Sequence, residues 1–257
     1  IIDFASRRQI TYNLDGKVIK VGEVRGKTWA TDIFHLDGML CYYDDVGFDK
    51  GDYLLHTEKN DEFTSYLYRD AREKWLGHVK KPYSIHNGVA KMIFTNRDTI
   101  FEFNPQEGVK AKIAFDFKGK KARFSGKDYF EFFSKQNKGK VIGLRSVFET
   151  DRHVINLIRM GGSGRVDLNP NYYSIYDKQQ NDYYFCKSPL RIEDACGFGL
   201  IIKTVIDNTI VAVHDSRLLK IMYLEILTEC EGEYEEFSSD MVNVINNLDD
   251  DDNPVLI

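Results

Sequence analysis

Cysteine, proline and tryptophan are scarce in this chain of 257 residues: four Cys, five Pro and two Trp. The cysteines, at 41, 186, 196 and 230, form no C-x-x-C pair, and the gap from Cys186 to Cys196 fits no common zinc spacing. Free, buried thiols are expected, and no disulfide or metal is needed at this length to stabilise a core. No apolar run reaches the roughly 18 residues of a membrane span; the longest candidate, Gly199 to Ile206, is interrupted by Lys203. The N-terminal IIDFASRRQI lacks the charge order and cleavage site of a signal peptide, which makes the cytosol the expected location. Enzyme signatures are missing as well: no G-x-S-x-G elbow, no G-x-x-x-x-G-K-[ST] loop and no catalytic cysteine context. Six histidines, at 35, 56, 78, 86, 153 and 214, include no i, i+4 pair for a metal. No enzyme, metal or required cofactor is expected.

What the chain has in quantity is aromatic surface, with 15 Tyr and 17 Phe. Tyrosine joins a large apolar face to a hydroxyl and suits contact surfaces as well as cores. The net charge of −5 hides an asymmetry. Between Val109 and Arg145 eleven cations face three anions, whereas from Ile221 onward there are eleven acids and no base. Such blocks occur in nucleic-acid arms, in acidic tails and at contacts between subunits.

The first two thirds read as strands punctuated by turns. Residues 9–14 and 17–24 flank Asp15-Gly16, and Thr31 to Leu36 and Met39 to Tyr43 flank Asp37-Gly38; both dipeptides signal type I′ hairpins. Phe63, Tyr66, Leu67 and Trp75 place an amphipathic helix over Asp61 to Leu76. Strands are expected at Val89 to Thr95, Thr99 to Phe103, Val109 to Phe117, Lys121 to Phe124, Lys140 to Phe148 and His153 to Met160. Gly126 to Ser134 suits a short helix or a strand. The polar, tyrosine-rich segment Asn169 to Tyr184 reads as a loop. Gly199 to Ile206 and Thr209 to His214 favour a last hairpin, with a buried helix over 193–213 as the alternative. Leu218 to Thr228 and Phe237 to Leu248 suit amphipathic helices. No internal repeat is visible. The expected fold is α+β, one domain over 1–257, mainly an antiparallel β-sandwich flanked by a few helices. A short arm (about 1–8) opens it and an acidic segment (about 231–257) closes it.

Three clusters are candidates for function. The glycine run Arg159, Gly161, Gly162, Ser163, Gly164 and Arg165 offers successive backbone N–H groups between two guanidinium groups, a cradle for phosphate, although a plain turn explains it too. The basic window interleaves Phe115, Phe117, Phe124 and Tyr129 with Lys118, Lys120, Lys121, Arg123 and Lys127. That is the pattern of a single-strand nucleic-acid groove, or of an ordinary half-buried strand. Tyr172, Tyr173, Tyr176, Tyr183 and Tyr184 are candidates for self-assembly, with phenols that would release contacts at alkaline pH.

The order of elements resembles that of the cypovirus polyhedrins. The resemblance is carried by Arg7, Arg8, Gln9, Tyr12 and Asn13, by Asp37-Gly38, by an aromatic segment ending near Glu73, and by Lys91 to Thr95. Gly139 to Gly143 with Phe148-Glu149, Val154 to Leu157, and the Asn-Pro-x-Tyr-Tyr stretch from Asn169 to Tyr173 complete it. The resemblance implies a trimer packed into intracellular crystals that embed virions in the cytoplasm of an infected cell, dissolving at alkaline pH, with bound nucleotides possible and no membrane involved. The runner-up is a nucleic-acid-binding protein using residues 109–145.

Overall fold

The structure, a computed structural model, describes residues 2–3, 8–23, 30–44, 53–60, 62–69, 81–94, 97–122, 137–161, 171–187, 190–191, 199–200, 202–206, 208–214, 216–229, 239–249 and 255–256. Strand follows strand, and within each sheet neighbours in sequence pair antiparallel. Strands β1 (Ile2–Asp3), β2 (Arg8–Tyr12) and β3 (Val18–Glu23) form the first sheet. Strands β4 (Asp32–Leu36), β5 (Met39–Tyr43), β6 (Tyr53–Lys59) and β7 (Glu62–Tyr68) form a four-stranded meander in sequence order. A second meander comprises β8 (Tyr83–His86), β9 (Val89–Ile93), β10 (Thr99–Asn104) and β11 (Gly108–Ala114). A third comprises β12 (Val141–Glu149), β13 (His153–Met160), β14 (Asn171–Asp177) and β15 (Asp182–Lys187). The pair β16 (Leu190–Arg191) and β17 (Gly199–Leu200) follows. Then come β18 (Ile202–Ile206) and β19 (Thr209–His214), helices α1 (Ser216–Glu229) and α2 (Ser239–Asn247), and β20 (Val255–Leu256), which pairs with β19. Four-stranded up-and-down sheets are the unit that β-propellers repeat. The recurrence is one of topology, which explains why no repeat shows in the residues.

Local chemistry sets these hairpins. Asp37-Gly38 has φ of 48° and 73° between the paired Leu36 and Met39, the left-handed geometry that a two-residue I′ turn requires. Asn87-Gly88, with φ of 47° and 73°, does the same between His86 and Val89. Asp15-Gly16 differs. Only Gly16 has positive φ, and the Asn13 side chain accepts the N–H groups of Asp15 and Lys17, so the loop is wider than a two-residue turn.

The chain divides into two compact units, Ile1–Asp116 with Arg123–Glu131, and Phe117–Ala122 with Phe132–Ile257. In the first unit, Phe34, Cys41, Tyr43 and Leu55 of one meander pack against Ala90, Met92, Phe101 and Phe103 of the next. Tyr43 stacks on Phe94 at 4.9 Å, and its hydroxyl donates to the Ile93 carbonyl at 2.5 Å. Arg69 closes the same unit from inside: its guanidinium lies 3.2 Å from the Asp44 carboxylate and donates to the Asp44 carbonyl at 2.9 Å, both residues being buried. In the second unit, Phe148, Ile155 and Tyr173 pack with Ile202, joining the third meander to the β18–β19 hairpin.

Two expectations are corrected here and one open choice is decided. The helix over Asp61 to Leu76 is not formed where it is described, because Glu62–Tyr68 is strand β7, paired with β6 from Lys59↔Glu62 to Tyr53↔Tyr68. Spacing of three and four suggested a helix, but Phe, Thr and Tyr in this stretch favour the pleated surface. The segment Asn169 to Tyr184, where a loop is expected, contains β14 and the first half of β15. The choice over 193–213 falls to the hairpin, with Asn208 left-handed at its turn (φ 71°). The antiparallel, β-rich character is as expected, and α1 and α2 stand where helices were placed. Gly126 to Ser134 lies outside the described residues.

Candidate interaction surface on the third meander

Strands β14 and β15 bring the candidate tyrosines together. Their register pairs Tyr172 with Lys187, Ser174 with Phe185 and Tyr176 with Tyr183 on one face, and Tyr173 with Cys186 and Ile175 with Tyr184 on the other. The two faces differ in burial. Tyr173 belongs to the core at 1% exposure, and its hydroxyl accepts the Ile202 N–H at 3.3 Å. On the opposite face Tyr172, Tyr183 and Phe185 stand 37%, 46% and 62% exposed, while Ser174, paired with Phe185, is buried. Tyr176 and Tyr183 stack at 4.6 Å. Burial, with Tyr176 as the second cause, holds the Tyr183 phenol above its ordinary value. Tyr184, 45% exposed, donates to the Gln180 side chain at 2.6 Å, and Tyr176 to Asn181 at 3.0 Å. The result is a cluster of rings, two of them with hydroxyls held by the turn, beside a strand whose outer edge has no partner among the described residues.

A charged clamp positions this surface. Asp177 ends β14; one of its carboxylate oxygens accepts the N–H groups of Gln179 and Gln180, shaping the turn, while the other is bound by Arg152 at 2.8 and 2.9 Å. Lys178 reaches Glu149 and the Thr150 carbonyl, both at 2.6 Å, so the β12–β13 and β14–β15 turns are tied together. The Arg152 hydrogen bond, followed by the backbone donors, pulls the Asp177 carboxyl down to about 2 from 3.8. A carboxyl depressed by folding contributes stability above its ordinary pKa and loses it as pH falls through the folded value. Asp177→Asn is therefore expected to be less stable than the parent at neutral pH, with the gap in urea resistance of the second unit, read by protection of β12–β15, closing as pH falls from 3.8 to about 2. A gap that stays constant over this range would contradict the assignment.

The other candidates fare differently. Gly161 is the only glycine of the phosphate cradle within the described residues; Gly162, Ser163, Gly164 and Arg165 lie outside them. Its N–H already donates to the Lys140 carbonyl at 2.7 Å, and its missing Cβ makes room for the Asn137 carbonyl. Arg159, also described, is half-buried on β13. In the basic window Lys110 pairs with Glu107 and Lys112 with Glu102, while Ile113 turns inward, the arrangement of a half-buried strand. Lys118 sits with Gly119 in a left-handed turn (φ 46° and 77°), Lys120 is exposed, and Lys121 lies 5.8 Å from the Phe117 ring centre. Arg123 and Lys127 fall outside the described residues. No group of three potential metal ligands occurs among the described residues.

One buried polar pair escaped the sequence. His56 Nδ1 lies 2.8 Å from the Ser65 hydroxyl, directly across the β6–β7 ladder. Burial, reinforced by the Arg69 charge, pushes the imidazole down to about 4. A general base works best with a pKa near the operating pH, and the buried Nε2 of His56 has no hydrogen-bond partner. The pair is therefore poorly built for proton transfer.

The chain is similar in fold to two solved structures. One is BF0058, a candidate exported protein of Bacteroides fragilis, with a TM-score of 0.67 at 16% identity over 99% of this chain and 71% of that one. The other is a member of the DUF4221 family from Bacteroides vulgatus, with a TM-score of 0.51 at 9% identity over 82% and 68% of the two chains. No protein-family model matches the chain, and no curated protein matches it in sequence. These likenesses overturn the polyhedrin resemblance, and with it go the occlusion-body function and the cytoplasmic occlusion-body location. The motifs behind that resemblance were short pieces of ordinary strands: Lys91 to Ile93 ends β9, and Val154 to Leu157 lies inside β13. The nucleic-acid alternative falls as well, since neither likeness points to it.

Proposed function

We propose that this protein is a non-catalytic recognition protein that holds a partner on the β14–β15 surface. The observation that carries the reading is the concentration of exposed rings there, Tyr172 of β14 with Tyr183 and Phe185 of β15 on one face and Tyr184 on the other, in a hairpin fixed at its turn by buried charge. Contiguous aromatic surface on a rigid element is costly to leave in water and is characteristic of contact sites. Stacked, hydrogen-bonded tyrosines are also already ordered, which lowers the entropy lost on binding. The absence of catalytic signatures in the sequence and the low basicity of His56 favour binding over turnover. On the same reading the protein works outside the cytoplasm, in line with the description of BF0058 as a candidate exported protein.

A photo-crosslinking phenylalanine analogue in place of Phe185 tests the reading in the source cells. One discrete adduct is expected at this position, and none when the analogue replaces the equally exposed Ile206 of β18 (57%). Equal labelling at both positions, or none at either, would contradict it.

A further inference from the structure

The occupant of this edge can be derived from the strand itself, on the reading that β14–β15 is a contact surface. In the β14–β15 hairpin the Tyr183 N–H donates to the Asp182 carboxylate at 2.7 Å, not across to β14. Successive N–H groups of a strand alternate sides, so those of Phe185 and Lys187 share the outward direction of Tyr183. Natural edges are usually blunted by charge, proline or a bulge. Strand β11 carries Lys110 and Lys112, and β3 carries Lys20 and Gly22. From Tyr183 to Cys186, β15 has no such device; its charges stand only at its ends, Asp182 and Lys187.

We infer that the partner is a second copy of this chain, joined by antiparallel pairing of β15 with β15 about a two-fold axis through Tyr184. The geometry selects both orientation and register. Parallel alignment would put Asp182 beside Asp182 and Lys187 beside Lys187, whereas antiparallel alignment sets the acidic end of each copy beside the basic end of the other. Outward-facing residues must oppose outward-facing residues, so odd numbers pair with odd. Centring on Tyr184 places Tyr183 against Phe185 of the other copy twice, in the hydrogen-bonded positions, and Tyr184 against its own counterpart. It also places Asp182 against Cys186, with no like charges opposed. The contact is isologous and closes on itself, giving a dimer and no fibre. It turns two four-stranded meanders into one continuous sheet and extends the face of Tyr176, Tyr183 and Phe185 across both copies.

Two measurements on the whole chain test the pairing. Sedimentation velocity over a dilution series should show a reversible dimer. Phe185→Pro, which removes an outward N–H without touching the ladder to β14, should weaken it at least tenfold, with the circular dichroism of the parent retained. Tyr184→Cys under mild oxidation should give a disulfide-linked dimer, since opposed residues in a non-hydrogen-bonded pair bring their Cα atoms within about 4.5 Å. Phe185→Cys, opposite Tyr183, should not. A parent that is monomeric throughout, or a dimer indifferent to Phe185→Pro in which Tyr184→Cys does not cross-link, overturns the inference. If the photo-adduct at position 185 is then to a different molecule, the surface stands as a binding site and only self-pairing fails; if no adduct forms, both fail.

Discussion

Tyr43→Ala is expected to cost about 4 kcal/mol of stability in the first unit, while Tyr43→Phe should cost only about 1 kcal/mol. Tyr43 is 1% exposed and stands where two meanders meet, stacked on Phe94 and donating to the Ile93 carbonyl. Truncation removes a whole ring from a close-packed site and strands a buried carbonyl without its donor. The phenylalanine variant keeps the ring and loses only the hydrogen bond. Because the chain has two compact units, a single unfolding midpoint is not the proper readout. Hydrogen exchange resolved by segment is: Tyr43→Ala should raise exchange across β4–β11 and leave β12–β15 near the parent rate. Uniform loss of protection throughout both units would contradict this placement of the core.

Gly161→Ala is expected to destabilise the second unit by about 2–3 kcal/mol. A Cβ on Gly161 would fall well inside van der Waals contact of the Asn137 carbonyl oxygen, a backbone atom that cannot swing away. The cost here is one of space, since Gly161 is not in the left-handed region. Gly38 supplies the contrast: a Cβ there meets nothing within 4 Å, but φ is +73°, so Gly38→Ala should lose only about 1 kcal/mol through backbone strain. Thermal denaturation of the two variants, read by segment as above, checks both the size and the location of the effect. Equal losses would show that space at Gly161 is not the constraint.

Tyr43 and Gly161 mark how far the sequence could be read. The Asp37-Gly38 turn, the apolar stretches of β9 to β13 and the two helices are legible because local chemistry decides them. Asn87-Gly88 is an equally strong hairpin signal, and it sets β8 against β9. Elements held by tertiary pairing were harder to see. Strand β7 shares its apolar spacing with a helix, and only the partner strand β6 settles the matter. The role of Gly161 depends on Asn137, twenty-four positions earlier, which no local pattern shows.

The surface itself was half legible. The tyrosines at 172, 173, 176, 183 and 184 stood out by composition, but the Asn, Asp and Gln among them read as loop, so the sheet that orders them was hidden. Those polar residues turn out to be the turn and clamp: Asp177 organises Lys178 to Asn181, and Asn181 takes the left-handed conformation at φ 53°. Tyr173 separates from the group because the period-two pleat sends it to the core while Tyr172 faces out. Where a strand begins is thus what divides packing tyrosines from contact tyrosines. Phe185, the most exposed ring of the set at 62%, was not singled out for want of that register.

Recognition through the β14–β15 surface is tested most directly by where a photo-reactive side chain finds a neighbour. With the analogue at position 185, a single adduct of defined mass is predicted, and it should vanish when Tyr172 and Tyr183 are both changed to serine. An adduct that survives those changes, or one that forms equally well from position 206, would show that the rings of β14 and β15 are not the binding surface.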